Sequence, residues 1–192
     1  AVLVGAAACL VMVLTCASSG PISTVLAGAF AIFLWKYQPH VRRIIWFSVV
    51  MLAVLEVVKA GLLGGRHVWY LIQSVDFTGS STGYHRAELI TQALRHLNEW
   101  WLAGTDYTRH WMPTGVSWSP DHADITNHYL FFGVMGGLPL MLTFIGTIVA
   151  AFYCLRQLLH QSGLATSKDR FFIWALGSAL FANTVTFISV TY

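Results

Sequence analysis

Charged residues are scarce in this chain. Asp, Glu, Lys and Arg together make up 10% of its 192 residues, whereas soluble domains usually carry about 25%. Hydrophobic residues, in contrast, make up 56% of the sequence. This shortage of charge, combined with the hydrophobic content, excludes an ordinary soluble domain and predicts a protein that crosses a membrane several times.

Cysteine is also rare, and several familiar motifs are missing. The three cysteines, Cys9, Cys16 and Cys154, lie within apolar stretches, so the sequence contains no disulfide framework. There is no P-loop, no H-E-x-x-H zinc motif and no C-x-x-C pair. The basic clusters are short and accompany no motif for reading bases, so no nucleic-acid partner is expected.

Long apolar runs are what the sequence does contain. Five segments are candidates for membrane helices, which need about 20 residues to cross a bilayer. These segments are 1–17, 21–35, 44–62, 129–155 and 171–192. They predict an all-α, polytopic transmembrane protein in which the whole chain forms a single membrane domain. Because both ends are apolar and the chain begins without Met, we interpret it as a fragment of a longer protein.

The short connecting segments carry a positive charge that predicts orientation. Residues 36–43 contain three basic residues and no acidic one, and residues 156–170 contain three basic residues and only Asp169. Basic residues in short loops favour the cytoplasmic side of a membrane. Alternation of the five spans then predicts that residues 64–127, hereafter the polar segment, lie outside the cytoplasm.

The polar segment concentrates the side chains that can do chemistry. Together with His128 at its end, it holds six of the eight histidines, six of the eight acidic residues and five of the eight tryptophans. A connection that only joined two helices would not need this composition. We therefore expect the functional site in this segment, at one surface of the membrane.

Part of the polar segment has helical periodicity. Residues Tyr84–Trp101 predict an amphipathic helix, because apolar residues recur at spacings of three and four and form one stripe. The stripe consists of Leu89, Ile90, Ala93, Leu94, Leu97, Trp100 and Trp101. Arg86 falls in the middle of this stripe and needs an anionic partner there. It is either a ligand for a phosphate or carboxylate or a cation that reaches the surface along its aliphatic stem.

The remainder of the polar segment, Leu102–Asn127, is irregular and rich in aromatic residues. Trp111 and Trp118 either lie in the membrane interface or offer a flat apolar face to a sugar ring. The residues Asp121–His128 contain two histidines and two aspartates, but their spacing matches no standard zinc pattern, and no metal is expected. A histidine there is instead a candidate general base, because imidazole titrates near neutral pH.

Two further pairs of residues carry structural expectations. Gly133 and Gly137 form a G-x-x-x-G pattern, which is common in membrane helices and lets another helix approach closely. Glu56 and Lys59 lie one turn apart near the outer end of the third apolar segment, where they are expected to pair with each other.

The order of these segments and four short motifs resemble a known family. The motifs are Gly83–Arg86, Trp100–Thr105, Asp124–Leu130 and Gly136–Pro139. From about Ser18 to about Leu155, the chain resembles the superfamily of O-antigen ligases and O-antigen polymerases, which are bacterial membrane glycosyltransferases.

The resemblance implies a function and a location. Members of this family transfer a glycan from polyprenyl pyrophosphate to an acceptor at the outer face of the bacterial inner membrane, without a cofactor. The implied partners are a polyprenyl-pyrophosphate glycan donor, an acceptor glycan or glycolipid, and membrane lipid. The alternative is a non-catalytic transporter or assembly component that handles a polyprenyl-linked glycan.

The resemblance also implies roles for charged residues. Arg86 matches the family's loop arginine and, with Arg109, would hold the pyrophosphate. The family's base is a histidine at the position where this chain has Thr126. His128 or His122 is therefore expected to take the proton of the acceptor.

Further residues would complete such a site. Asp124 or Asn127 would orient the histidine, and Asn127 would also contact substrate. Three aromatic residues would border the sugar path: Tyr107, Trp111 and Trp118. The early segment Ser18–Pro21 resembles a family motif but lacks its arginine, so the chain is either a divergent transferase or a member that has lost activity.

Overall fold

The structure is a computed structural model that describes residues 2–15, 19–62, 67–71, 82–115, 117, 119–160, 167–188 and 190. This part of the chain is helical and contains no β-strand. Its α-helices are α1 (Val2–Thr15), α2 (Ser19–Phe33), α3 (Val41–Glu56), α4 (Thr82–Arg95), α5 (Leu97–Trp100), α6 (His128–His160) and α7 (Ser167–Thr186). Tighter turns lie at Leu34–His40, Val68–Tyr70 and Arg109–Trp111, and a wider one at Val57–Leu62.

Each predicted apolar segment overlaps a helix, but most of these helices are short. The helices α1, α2 and α3 have 14, 15 and 16 residues, and the 20-residue α7 begins with a charged run, Lys168–Arg170. Among the described residues, α6 is the one helix long and apolar enough to cross a membrane, judged by length and composition. The all-α class is confirmed, whereas five membrane spans stay a prediction.

Small residues let α2 pack closely along α7. A Cβ atom added to Gly28 would lie 3.5 Å from the Cβ of Ala182, which is an ordinary contact. The indole N–H of Trp174 donates a hydrogen bond to the carbonyl of Ala31 at 2.9 Å. Close approach of this kind is the usual way in which helices associate within a membrane.

The helix α6 is broken near its start, and the polar segment fills the break. At Gly137 the backbone has a φ of 73°, which favours glycine. The carbonyl of Val134, which the break frees, accepts a hydrogen bond from the N–H of Thr105 at 2.8 Å. The N–H of Leu138 donates in the same way to the carbonyl of Trp101 at 2.7 Å. The break is therefore stable because the polar segment supplies the missing partners.

Gly133 and Gly137, which were expected to let a second helix approach closely, pack against the polar segment instead. A Cβ atom on Gly133 would lie 2.6 Å from the ring of Trp100, and one on Gly137 would lie 2.4 Å from the backbone of Leu102. These approaches are closer than any real Cβ contact. The physical reason is the break itself, which opens the start of α6 to residues 100–105.

A small core holds the docked part of the polar segment together. Its buried members are Leu89, Ala93, Trp100, Trp111, Ile125 and Val134. The indole N–H of Trp100 donates to the carbonyl of Ala93 at 2.9 Å, so this buried ring is fixed at both its apolar and polar ends. The helix predicted over Tyr84–Trp101 is confirmed, but it is interrupted at His96, where α4 ends and α5 begins.

Glu56 binds the polar segment rather than Lys59. One carboxylate oxygen of Glu56 lies 2.6 Å from His67 Nδ1, and the other accepts a hydrogen bond from the N–H of Val68 at 2.8 Å. Within the described residues no ion pair joins Glu56 to Lys59, so the expected pairing was wrong. The helix widens at Val57–Leu62, directly after Glu56, and residues one turn apart no longer face each other as in an α-helix.

Candidate functional site

The start of α4 lies against the residues that precede α6. The Nε2 atom of His85 is 3.1 Å from the backbone carbonyl oxygen of Asp124. One turn further along α4, Leu89 belongs to the same buried core as Ile125. Arg86 lies between these two contacts along α4 and is half-buried. The structure therefore brings Arg86 and the residues before α6 into one region.

Thr108 fixes the backbone on the other side of this region. It is completely buried, and its hydroxyl oxygen accepts a hydrogen bond from the N–H of Ala123 at 3.0 Å. The N–H groups of Thr108 and Arg109 both donate to the carbonyl of Asp121, at 2.9 and 3.0 Å. These bonds hold residues 121–123 in place although they belong to no helix or strand.

Arg109 stabilises the turn that follows it. Its guanidinium donates hydrogen bonds to the carbonyls of Gly115 at 3.0 Å and Pro113 at 2.7 Å. The other N–H groups of this guanidinium have no hydrogen-bond partner among the described residues. Arg109 thus closes a turn and still keeps donors for an anion.

Asn127 is the N-cap residue of α6. Its side-chain oxygen accepts a hydrogen bond from the N–H of Leu130 at 3.1 Å, and its side-chain NH₂ donates to the carbonyl of Ile188 at 3.0 Å. Such a cap satisfies a donor that the helix itself leaves open. Because both ends of this buried amide have partners, Asn127 acts here by starting α6 and joining it to the residues after α7.

His128 packs in an aromatic cluster. Its ring centroid lies 5.0–6.1 Å from those of four phenylalanines, which are Phe131, Phe132, Phe144 and Phe187. Its backbone N–H donates to the carbonyl of Phe187 at 2.8 Å. These surroundings are apolar, and they disfavour a charged imidazolium.

His122 and Asp124 have more polar surroundings than His128. The Nδ1 atom of His122 is 3.0 Å from the hydroxyl oxygen of Ser119, which fixes the ring while leaving either tautomer open. The carboxylate of Asp124 forms no hydrogen bond or ion pair with the described residues. The hydroxyl of Thr126, at the family's histidine position, is buried and has no hydrogen-bond partner in the same part of the chain.

The predicted aromatic residues do not form one surface. Trp111 is only 3% exposed, and its indole N–H donates to Glu99 at 3.0 Å, so it packs in the core of the polar segment. Tyr107 is exposed and stacks on His110 with ring centroids 5.1 Å apart. Trp118 lies outside the described residues. Of Tyr107 and Trp111, Tyr107 is the ring that is accessible to a ligand.

Three residues that the sequence did not single out meet at the other end of α4. Atoms of His96, Glu99 and His110 that can bind a metal all lie within 4.8 Å of one another. Partial burial by itself would raise the pKa of Glu99, but hydrogen bonds from Trp111 and His110 outweigh it and lower the pKa. The spacing of His96 and Glu99 places them on one helical face, whereas His110 joins them from a separate turn that spacing cannot reveal.

The region around Arg86 combines a cation, a carboxylate and imidazoles beside a helix apolar enough to cross a membrane. This set of groups can bind an anionic ligand and transfer a proton. Comparison of the chain with known protein families, characterised proteins and solved structures finds no match. The family resemblance therefore rests on the sequence motifs alone.

Proposed function

We propose that this protein transfers a glycan from a polyprenyl-pyrophosphate donor to an acceptor sugar at the outer face of the bacterial inner membrane, as O-antigen ligases and polymerases do. The observation that supports this most directly is the contact between His85 and Asp124. It holds the end of α4 that bears Arg86 beside the residues that include the two candidate bases. A phosphate ligand and a proton acceptor in one region are what such a transfer needs.

In the same proposal the helices of all five apolar segments cross the membrane, and the polar segment lies outside. Large apolar side chains on α3 and α6 are exposed, including Trp46, Phe47 and Leu142 at 59–66%. Exposed apolar surface of this extent suits contact with lipid. The basic residues of 36–43 and 156–170 would then face the cytoplasm.

Cations act on the leaving group, which is the polyprenyl pyrophosphate. Arg86 donates charge-assisted hydrogen bonds to its oxygens, and Arg109 adds those N–H groups that its own turn does not use. The N-terminus of α4 contributes the positive end of the helix dipole. Loss of one donor to a developing negative charge costs about 3 kcal/mol of transition-state stabilisation.

A histidine accepts the proton released during transfer. The acceptor hydroxyl oxygen forms a bond to the anomeric carbon, the bond from that carbon to the pyrophosphate oxygen breaks, and the hydroxyl proton passes to the imidazole. A single displacement inverts the anomeric carbon. Of the two candidates, His122 is favoured over His128, because the His122 ring contacts the hydroxyl of Ser119 whereas His128 packs among phenylalanine rings.

The decisive experiment measures transfer by the purified chain in lipid nanodiscs supplied with donor and acceptor. Arg86→Ala should reduce the rate by about 100-fold, which corresponds to about 3 kcal/mol, and Arg86→Lys should lose less. Arg95→Ala is the matched control, since Arg95 is exposed at the other end of α4. An Arg86→Ala variant that is folded and as active as wild type would remove the proposal.

Two further measurements separate transfer from transport and test the orientation. His122→Ala should bind donor but not transfer glycan, and donor binding without any transfer by the wild-type chain would support the transporter instead. In a cysteine-free background, Thr114→Cys should react with an impermeant maleimide added to spheroplasts, and His160→Cys should react only after lysis. The reverse labelling would contradict an external polar segment.

A further inference from the structure

We propose that His96, Glu99 and His110 form a binding site for a divalent transition-metal ion of the zinc class. The ligand atoms of the three side chains all lie within 4.8 Å of one another. His110 Nε2 is 2.9 Å from Glu99 Oε2, and the rings of His96 and His110 meet edge to face with centroids 5.0 Å apart. Two imidazoles and one carboxylate are a ligand set found in zinc proteins.

Neighbouring groups orient these ligands. The Nδ1 atom of His96 lies 2.9 Å from the backbone carbonyl oxygen of Gln92. A carbonyl oxygen only accepts, so Nδ1 carries the proton and Nε2 keeps the lone pair that a metal requires. Metal-binding histidines usually donate their second N–H to an acceptor of this kind. The indole N–H of Trp111 holds the carboxylate of Glu99 in a corresponding way, at 3.0 Å.

The present distances allow closure around an ion. Zn²⁺ lies about 2.0–2.2 Å from nitrogen and oxygen ligands in tetrahedral geometry, so its ligand atoms are about 3.4 Å apart. The separations here range from 2.9 Å to at most 4.8 Å and bracket that value. Glu99 and His110 are exposed, so their side chains can rotate without disturbing the core. Imidazole ligands favour zinc-class ions over Mg²⁺ and Ca²⁺, which prefer oxygen.

The metal site does not depend on the proposed transfer, although His110 directly follows Arg109 in the turn Arg109–Trp111. Ten residues along the helical direction separate Arg86 from His96, which corresponds to about 15 Å. The three ligands come from the end of α4, from α5 and from the turn Arg109–Trp111. A bound ion would therefore join three elements of the polar segment and stabilise their arrangement.

Titration of the purified full chain with Zn²⁺ alone tests the proposal. We expect one ion to bind per chain, with an affinity that falls as the pH falls, because protonated imidazoles cannot bind metal. His96→Ala and His110→Ala should each weaken binding by more than about 100-fold, since changes in supporting groups alone already cost 10–100-fold. Trp111→Phe, which removes the hydrogen bond to Glu99 and part of a buried ring, should fall within that lower range.

His40→Ala is the matched control, because His40 is exposed between α2 and α3 and has no part in the cluster. It should bind Zn²⁺ as wild type does. Circular dichroism checks the fold, and the exposed position of His110 makes His110→Ala the variant that keeps the core intact. Equal Zn²⁺ affinity of wild type and the His96→Ala/His110→Ala double variant would overturn the proposal, as would the absence of Zn²⁺ binding by the wild-type chain.

Discussion

Replacing Gly137 with alanine is expected to separate the polar segment from α6. Gly137 has a φ of 73° and a ψ of −173°, a combination that is essentially restricted to glycine. An alanine Cβ would also lie 2.4 Å from the backbone carbonyl of Leu102. A backbone group cannot rotate away as a side chain can, so Leu102 would have to move from 2.4 Å to at least 3.4 Å to reach an ordinary contact.

The expected loss of stability in Gly137→Ala has two contributions. The strained backbone at Gly137 costs about 1–3 kcal/mol. Movement of Leu102 also breaks the neighbouring hydrogen bond from the N–H of Leu138 to the carbonyl of Trp101, which is 2.7 Å long and whose loss costs about 1–1.5 kcal/mol. The variant should therefore lose about 2–4.5 kcal/mol of stability, a large part of the roughly 5–15 kcal/mol that stabilises a typical domain.

Tryptic cleavage after Arg109 in detergent micelles measures this loss. The guanidinium of Arg109 is bound to two carbonyls, so cleavage requires local opening of the polar segment. Gly137→Ala should raise the cleavage rate by roughly 30- to 2,000-fold, because about 1.4 kcal/mol corresponds to tenfold and the open population sets the rate when opening is fast. Gly146→Ala is the matched control on the same helix, since a Cβ there would have nothing within 4 Å. Equal cleavage rates of the two variants would refute the reasoning.

Three further changes test single contacts of the polar segment. Tyr70 donates a hydrogen bond to Glu88 and lowers the pKa of that carboxyl. This hydrogen bond therefore adds stability above about pH 4.5, and the added stability is lost as the pH falls through the lowered pKa of Glu88. The temperature of thermal unfolding should therefore depend less on pH for Glu88→Gln than for wild type in this acid range. Asn127→Ala should reduce the free energy of unfolding in denaturant by about 1–2 kcal/mol, because it removes the cap of α6. Thr108→Val should cost about 1–3 kcal/mol in the same measurement, since it leaves the N–H of Ala123 without its acceptor.

The hydrophobic pattern predicted where helices form, because one entire face of an amphipathic helix is buried and an entire apolar segment contacts lipid or other helices. The apolar segments 44–62 and 129–155 overlap α3 and α6, and the amphipathic pattern of Tyr84–Trp101 covers most of α4 and all of α5. Within that pattern Leu89 and Ala93 are buried, as the predicted stripe requires. Periodicity could not locate the interruption at His96, since the stripe continues through it.

Contacts between distant segments could not be predicted from spacing. Glu56 has a cation three residues further along the chain, Lys59, but binds His67 instead, because the turn that follows Glu56 is wider than an α-helix. Gly137 was identified as a site of close packing, but only the break in α6 shows that the partner is the polar segment. Trp111 is buried in the core and bound to Glu99, and both contacts come from other elements that its neighbours in sequence do not reveal.

The break in α6 connects the folding of the polar segment to the proposed chemistry. Residues 101–105 lie in the break, and Asn127 begins the same helix, so both ends of the docked segment are fixed to α6. A displacement of reacting groups by about 1 Å can lower a rate about 100-fold, so a detached segment could not keep Arg86 and His122 at a constant separation.

Gly137→Ala is therefore expected to lower glycan transfer about 100-fold although it touches no proposed substrate contact, and Gly146→Ala should leave the rate unchanged. Donor binding measured in parallel should fall less than the transfer rate, because Arg86 remains available as a single ligand. If the Gly137 variant transfers glycan at the wild-type rate while its polar segment is demonstrably released, the reaction does not need the docked arrangement. The proposed pairing of Arg86 with a histidine before α6 would then be wrong.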